Sequence, residues 1–152
     1  DHLVAMIAVG FWSAAVLPAG RRWQGPVLFV GMLLAGALLA LAGVELPGIE
    51  AGVALSVALL GGLLIAQRRV SPALGLAVIS GAALMHGFAH GSELASGHSF
   101  ASYAAGFMLG SALLHGAGLA AGHALLKLRP WAWQLCAGVI GSSGLLMLAT
   151  RF

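Results

Sequence analysis

The feature that most constrains this chain is a succession of long apolar runs, broken only by short charged or proline-bearing punctuation. A helix that crosses a bilayer needs ~20 mostly apolar residues. Six runs of roughly that length fit between the breaks: residues 2–19, 26–44, 50–66, 72–91, 100–126 and 131–150. Pro26 and Pro72 open the second and fourth runs and Pro130 just precedes the sixth, positions where a missing N–H costs a helix little. A membrane barrel would alternate apolar and polar residues over ~10-residue strands, and residues 27–44 show no such alternation. Only 7% of the residues are charged and the mean hydropathy is +1.02, against roughly 25% charged residues in a soluble domain. Glycine is 23 of 152 residues, about twice its usual ~7%, which suits close helix packing in lipid. The expected fold is all-α: one polytopic membrane domain over residues 1–152, a bundle of six transmembrane helices.

Orientation follows from the cations. Arg21 and Arg22 follow the first span, Arg68 and Arg69 the third, and Lys127 and Arg129 the fifth. All four acids lie in the alternate positions: Asp1 at the start, Glu45 and Glu50 between spans two and three, and Glu93 between four and five. The cationic loops are expected in the cytoplasm and both termini outside, with Trp23, Trp131 and Trp133 in the inner interface. An outward N-terminus without an initiator Met predicts a processed chain whose signal peptide has been removed. The expected location is a bacterial inner membrane.

Several function classes drop out at this stage. The Lys and Arg residues are scattered in pairs instead of forming a stripe, so the pI of about 10 is no nucleic-acid signal. Cys136 is the sole cysteine, which excludes an internal disulfide, a CxxC redox pair and a thiolate zinc cluster. The loops are short, the longest running from about Ser92 to Ser99, and none carries a nucleotide or phosphate motif. Function must therefore lie inside the bundle or at its rims.

Ionisable residues within spans are costly and point to function, and here they are mostly histidines. His86 and His90 stand at i and i+4 in span four, on one helix face. Glu93 continues that stripe near the outer end, His115 lies inside span five, and Asp1 and His2 open span one. An i, i+4 histidine pair can hold one divalent ion, with further His or carboxylate completing the shell for Ni, Co, Cu or Zn. The bland alternative is neutral histidines hydrogen-bonded to neighbouring helices. Gly87, Gly91 and Gly116 beside these imidazoles are expected to admit a closely packed helix. His98 and His123 read as solvated loop or interfacial residues. The stretch from Gly81 to Gly87 also echoes that from Gly110 to Gly116, in opposite directions through the membrane, as in transporters with inverted elements.

Three segments together resemble the HupE/UreJ family: Asp1-His2-Leu-Val-Ala-Met-Ile-Ala-Val-Gly10, Met85-His86-Gly-Phe-Ala-His90-Gly-Ser-Glu93 and Gly110-Ser-Ala-Leu-Leu-His115-Gly-Ala-Gly118. These are small bacterial membrane proteins associated with hydrogenase and urease gene clusters and regarded as nickel, sometimes cobalt, permeases. The resemblance covers essentially the whole chain. The family's first motif reads His-Pro-x-x-Gly-x-Asp-His, whereas this sequence begins at the Asp, so a further histidine is expected upstream. What the resemblance implies is a metal site on Asp1, His2, His86 and His90, with Glu93 adding negative charge at the mouth and His115 acting further in as a relay. The metal is cargo, Ni(II) before Co(II), and no prosthetic group or enzymatic activity is implied. The expected partners are that ion, the lipid bilayer and, in a homo-oligomer, a second copy of the chain.

Three rival readings have their own signatures. Two haems stacked across a bilayer need widely spaced histidine pairs on the same helices; His86 and His90 are one turn apart, which leaves at most a single haem. Gly141-Ser-Ser143-Gly144 fits the G-x-S-G of rhomboid proteases, but every candidate histidine precedes Ser143, the reverse of their order, and the motif reads better as a packing seam. A non-transporting assembly partner would need no buried histidine stripe.

Overall fold

The structure, a computed structural model, describes residues 1–94 and 99–151. Within them lie six α-helices and no strand: α1 His2–Val16, α2 Gln24–Leu41, α3 Ile49–Ile65, α4 Pro72–Ser92, α5 Phe100–Leu125 and α6 Pro130–Ala149. Ala19–Arg21 adds one 3-10 turn between the first two. Local chemistry sets the boundaries. Pro18 drives Leu17 into extended backbone (φ −86°, ψ 142°), so α1 stops at Val16 and does not run on to residue 19. Ser71 caps α4 by accepting from the Leu74 N–H at 3.3 Å, ahead of Pro72 in the first turn. Gly48, at φ +74°, makes the left-handed turn that starts α3.

Among the described residues four segments are long and apolar enough to cross a membrane: Ala19–Leu41, Pro72–Ser92, Phe100–Leu125 and Pro130–Ala149. The other two expected spans are shorter, 15 residues in α1 and 17 in α3. For α1 the surroundings explain this. From Ala5 to Ala14 every residue but Ile7 is buried, so the helix is wrapped by protein and apolar all round.

Glycines dictate which helices pair. The closest pairings are α1 with α5, α2 with α4 and α3 with α6. A Cβ on Gly10 would sit 2.6 Å from the His115 carbonyl oxygen, and one on Gly118 the same distance from the Ile7 carbonyl. A Cβ on Gly87 would run into the Leu33 carbonyl, and one on Gly36 into that of Leu84. Gly61 meets Gly141 backbone to backbone, and Gly144 meets Ala58. Such small-residue contacts replace the hydrophobic drive that lipid removes. The outward faces are apolar, with Leu113, Val139 and Leu146 each more than 60% exposed, as a lipid-facing surface requires. This is a helical membrane protein.

The two ends of the bundle differ in charge. Arg151 bonds Asp1 at 3.2 Å and also pairs with Glu50, so the first and last described turns share the acidic end. At the other end Arg22 meets His123, and Arg68 and Leu128 line one cavity. Arg151 apart, which pairs with the acids at their end, the charge alternation along the chain thus becomes a separation in space.

Candidate metal centre

The site begins with the first turn of α1. The Asp1 carboxylate caps the helix: its Oδ1 accepts from the His2 backbone N–H at 2.7 Å and from His2 Nδ1, also at 2.7 Å. That holds the His2 ring against α4, where His86 and His90 stand one turn apart. The His2 ring centroid lies 4.4 Å from that of His86, edge to face, and 4.4 Å from that of His90. The pair expected from the i, i+4 spacing is therefore joined by a third imidazole. Tyr103 of α5 reaches His90 Nδ1 through its hydroxyl at 3.1 Å, and Phe107 stacks on the same ring. Glu93 caps the end of α4, 58% exposed, with Oε2 at 4.0 Å from His90 Nδ1. It belongs to the mouth and not to the cluster itself.

The hydrogen bonds fix which nitrogens remain free. His2 Nδ1–H donates to Asp1, and His2 Nε2 is buried without a partner. His115, 1% exposed, donates from Nδ1 to the Ser111 carbonyl at 2.6 Å and leaves Nε2 buried without a partner. His86, 0% exposed, meets Ser56 Oγ through Nε2 at 2.9 Å and leaves Nδ1 without a partner. In a neutral imidazole one nitrogen carries the proton and the other a lone pair. Each of these rings has one nitrogen tied and the other open. Histidine metal ligands are held in this way, with the outer nitrogen bonded to a carboxylate, carbonyl or water. A buried polar group left unpaired costs about 1–3 kcal/mol; Trp12 Nε1, Ser13 Oγ and Ser111 Oγ are likewise buried without a partner, so half of these unpaired atoms are imidazole nitrogens.

Among the described residues no three His, Cys, Asp or Glu side chains already form a coordination shell. The imidazoles of His2, His86 and His90 are gathered ring against ring.

Phe29 of α2, fully buried, packs against both His86 and His115. Its centroid is 6.0 Å from His86 and 4.9 Å from His115. His115 borders a cavity of about 300 Å³ between α2 and α5, otherwise lined by Trp23, Pro26, Val27 and other apolar groups. The structure therefore has a cluster of three imidazoles and a further single one, with the Phe29 ring in contact with His86 of the cluster and with His115.

The remaining sequence expectations meet mixed outcomes. His123 is tied at both nitrogens: Nδ1 donates to the Leu119 carbonyl at 2.8 Å, and Nε2 faces Arg22. His98 lies outside the described residues. Gly87 and Gly91 do admit α2, against Leu33 and Ala37, whereas nothing lies within 4 Å of a Cβ on Gly116. That asymmetry also separates the two halves of the echoed motif: α4 is clasped there and α5 is open. Ser143 donates to the Ile140 carbonyl at 2.8 Å within its own helix, and Gly141 and Gly144 pack on α3, the behaviour of a packing seam. Sequence reasoning missed Ser56, Phe29 and Tyr103. Ser56 did leave a signal, as the one polar side chain in the interior of α3.

Comparison with known proteins agrees with this architecture. The chain matches the sequence model of the family described as HupE / UreJ protein over residues 1–147. Protein HupE of Rhizobium leguminosarum bv. viciae is 38% identical over 105 residues, covering 69% of this chain and 54% of that protein. The chain thus spans about half the length of the curated relative it matches. No solved structure matches it significantly. Together with the helical bundle and its histidines, the match over nearly the whole sequence places the chain in the HupE / UreJ family.

Proposed function

We propose that the chain is a permease for a divalent transition-metal ion, Ni(II) first and Co(II) second, supplying hydrogenase or urease assembly. One observation carries this reading: three imidazoles, those of His86 and His115 buried and that of His2 half-buried, each with one nitrogen tied and the other a buried atom without a partner. Imidazole suits Ni, Co, Cu and Zn, while Mg and Ca call for oxygen shells that four acids cannot supply here. Family membership ranks nickel and cobalt above copper and zinc. The direct contact of the His2, His86 and His90 rings leaves no flat slot for a porphyrin, which disfavours a haem.

In this reading the acidic end faces outward. Glu93 draws the cation to the mouth, Asp1 holds His2 in place, and His2, His86 and His90 take up the ion as it sheds water. Phe29 packs against both His86 of this cluster and His115, which receives the ion next. The bilayer of the bacterial inner membrane is the setting, with the cationic loops in the cytoplasm.

Two experiments test the reading. Ni(II) uptake by cells carrying the protein should be lost with His86→Ala while membrane insertion is retained; equal uptake by the variant would overturn the site. In a Cys136→Ala background, an impermeant thiol reagent should label Glu45→Cys but not Arg68→Cys in intact cells. Labelling at position 68 from outside would reverse the orientation.

A further inference from the structure

His86 differs from the other two open histidines in which nitrogen is open. His2 and His115 are tied through Nδ1 and keep Nε2; His86 is tied through Nε2 and keeps Nδ1. The group that makes the difference is Ser56, 5% exposed, on α3. We propose that Ser56 is a positioning residue that holds His86 in the Nε2–H tautomer and so makes Nδ1 its metal-binding atom.

The argument is an accounting of protons. A serine hydroxyl has one hydrogen to donate and two lone pairs. Ser56 Oγ lies 2.7 Å from the Val53 carbonyl oxygen, an acceptor only, so the hydroxyl hydrogen points there. Oγ then faces His86 Nε2 at 2.9 Å with a lone pair, and the imidazole must be the donor. In the opposite arrangement Ser56 donates to Nε2, Val53 loses its second bond, and an N–H is left at Nδ1 in a buried position without an acceptor. Burying an unpaired donor is the worse outcome, because buried N–H groups almost always find partners. The chain Val53 carbonyl, Ser56 hydroxyl, His86 imidazole therefore runs in one direction and ends on an open lone pair. The other polar side chain of α3, Glu50, lies in its first turn and pairs with Arg151.

This inference rests on the proposed metal-binding role of His86, and the test separates the two. Histidine-specific ¹⁵N NMR of the wild-type protein in detergent, with the His86 signal identified by its absence in His86→Gln, reads the tautomer directly. The expected result is Nε2–H at His86 and Nδ1–H at His2 and His115. Titration with cobalt(II) chloride, followed by its visible absorption, should show Ser56→Ala binding about 10- to 100-fold more weakly, with an altered spectrum. Ser56→Thr, which keeps a hydroxyl able to bond back to the helix, should restore both affinity and spectrum. An Nδ1–H tautomer at His86 in the wild type would overturn the inference whether or not Ser56→Ala folds. So would Ser56→Ala binding cobalt within twofold of wild type while His86→Gln does not bind. Wild-type affinity in His86→Gln would sink the metal site, and this inference with it.

Discussion

The two ends of the bundle both hold histidine, and the contrast between them separates structural from functional imidazoles. At the cationic end, His123 gives its proton to the Leu119 carbonyl and turns its lone pair to Arg22. Its hydrogen-bonding capacity is complete, and it joins α5 to the turn that follows α1. Toward the acidic end, His2 and His86 each have one nitrogen tied and the other empty, and His115 beside Phe29 has the same pattern. A satisfied histidine stabilises a fold. A half-satisfied buried one costs stability, and a ligand that fills the open lone pair recovers it. Counting histidines would rank all of these alike; counting their nitrogens does not.

The largest test of the contrast is removal of one open imidazole. His86→Ala should weaken Ni(II) or Co(II) binding by the purified protein about 100-fold, roughly 2.7 kcal/mol, measured by titration calorimetry. Loss of less than threefold would mean that the open Nδ1 atom is not a ligand.

Acidification comes next. Metal and protons compete for the same lone pairs. Affinity should therefore fall as pH is lowered, and excess metal should partly restore occupancy at the lower pH. An affinity that does not change down to the pH at which the protein unfolds would mean that no titrating ligand holds the ion. Equilibrium binding in detergent makes this measurement without any proton gradient.

Much of this was legible in the sequence, and the gaps have physical causes. Proline, glycine and charge punctuate the chain so strongly that all six helices fall where the apolar runs lie. The run from residue 2 to 19 overshoots because hydropathy continues past Pro18 while backbone geometry does not. His86 and His90 are visible through helical periodicity alone. Their meeting with His2 is not, because it depends on α1 lying at the centre of the bundle, a property of packing that no local pattern encodes. Ser56 was readable as the one polar residue in the interior of an apolar helix. Phe29 was not, since nothing distinguishes it from any other apolar residue in α2 until His86 and His115 are placed against it.

The seam that builds the outer cluster gives a smaller, structural test. Gly87 lets α2 lie against α4 beside His86, and a side chain there would meet the Leu33 backbone, which cannot yield as a flexible side chain can. Gly87→Leu should lower stability by about 3 kcal/mol, read as a fall in the thermal midpoint in detergent and loss of a monodisperse peak. Gly116→Ala has open space around it and should be neutral or stabilising by up to ~1 kcal/mol. Equal sensitivity at both positions would mean that the α2 and α4 contact is not what holds His86 in place.

The smallest effect is expected at the other end, and it is the sharpest control. His123→Ala removes a ring whose nitrogens are both in use, so it should leave metal affinity within about twofold, under ~0.5 kcal/mol. What it should change is the fold: the Leu119 carbonyl loses its second bond and Arg22 loses its contact with α5. Hydrogen bonds of this kind contribute about 1 kcal/mol each. Arg22 also keeps a second bond, to the Leu17 carbonyl at 3.3 Å, so the total loss should stay near ~1 kcal/mol. Thermal unfolding in detergent measures that loss, and metal titration on the same sample measures the affinity. A His123→Ala variant that unfolds slightly earlier and binds metal normally separates the two kinds of histidine. One that binds metal as poorly as His86→Ala would show that the open lone pairs have no special part in binding.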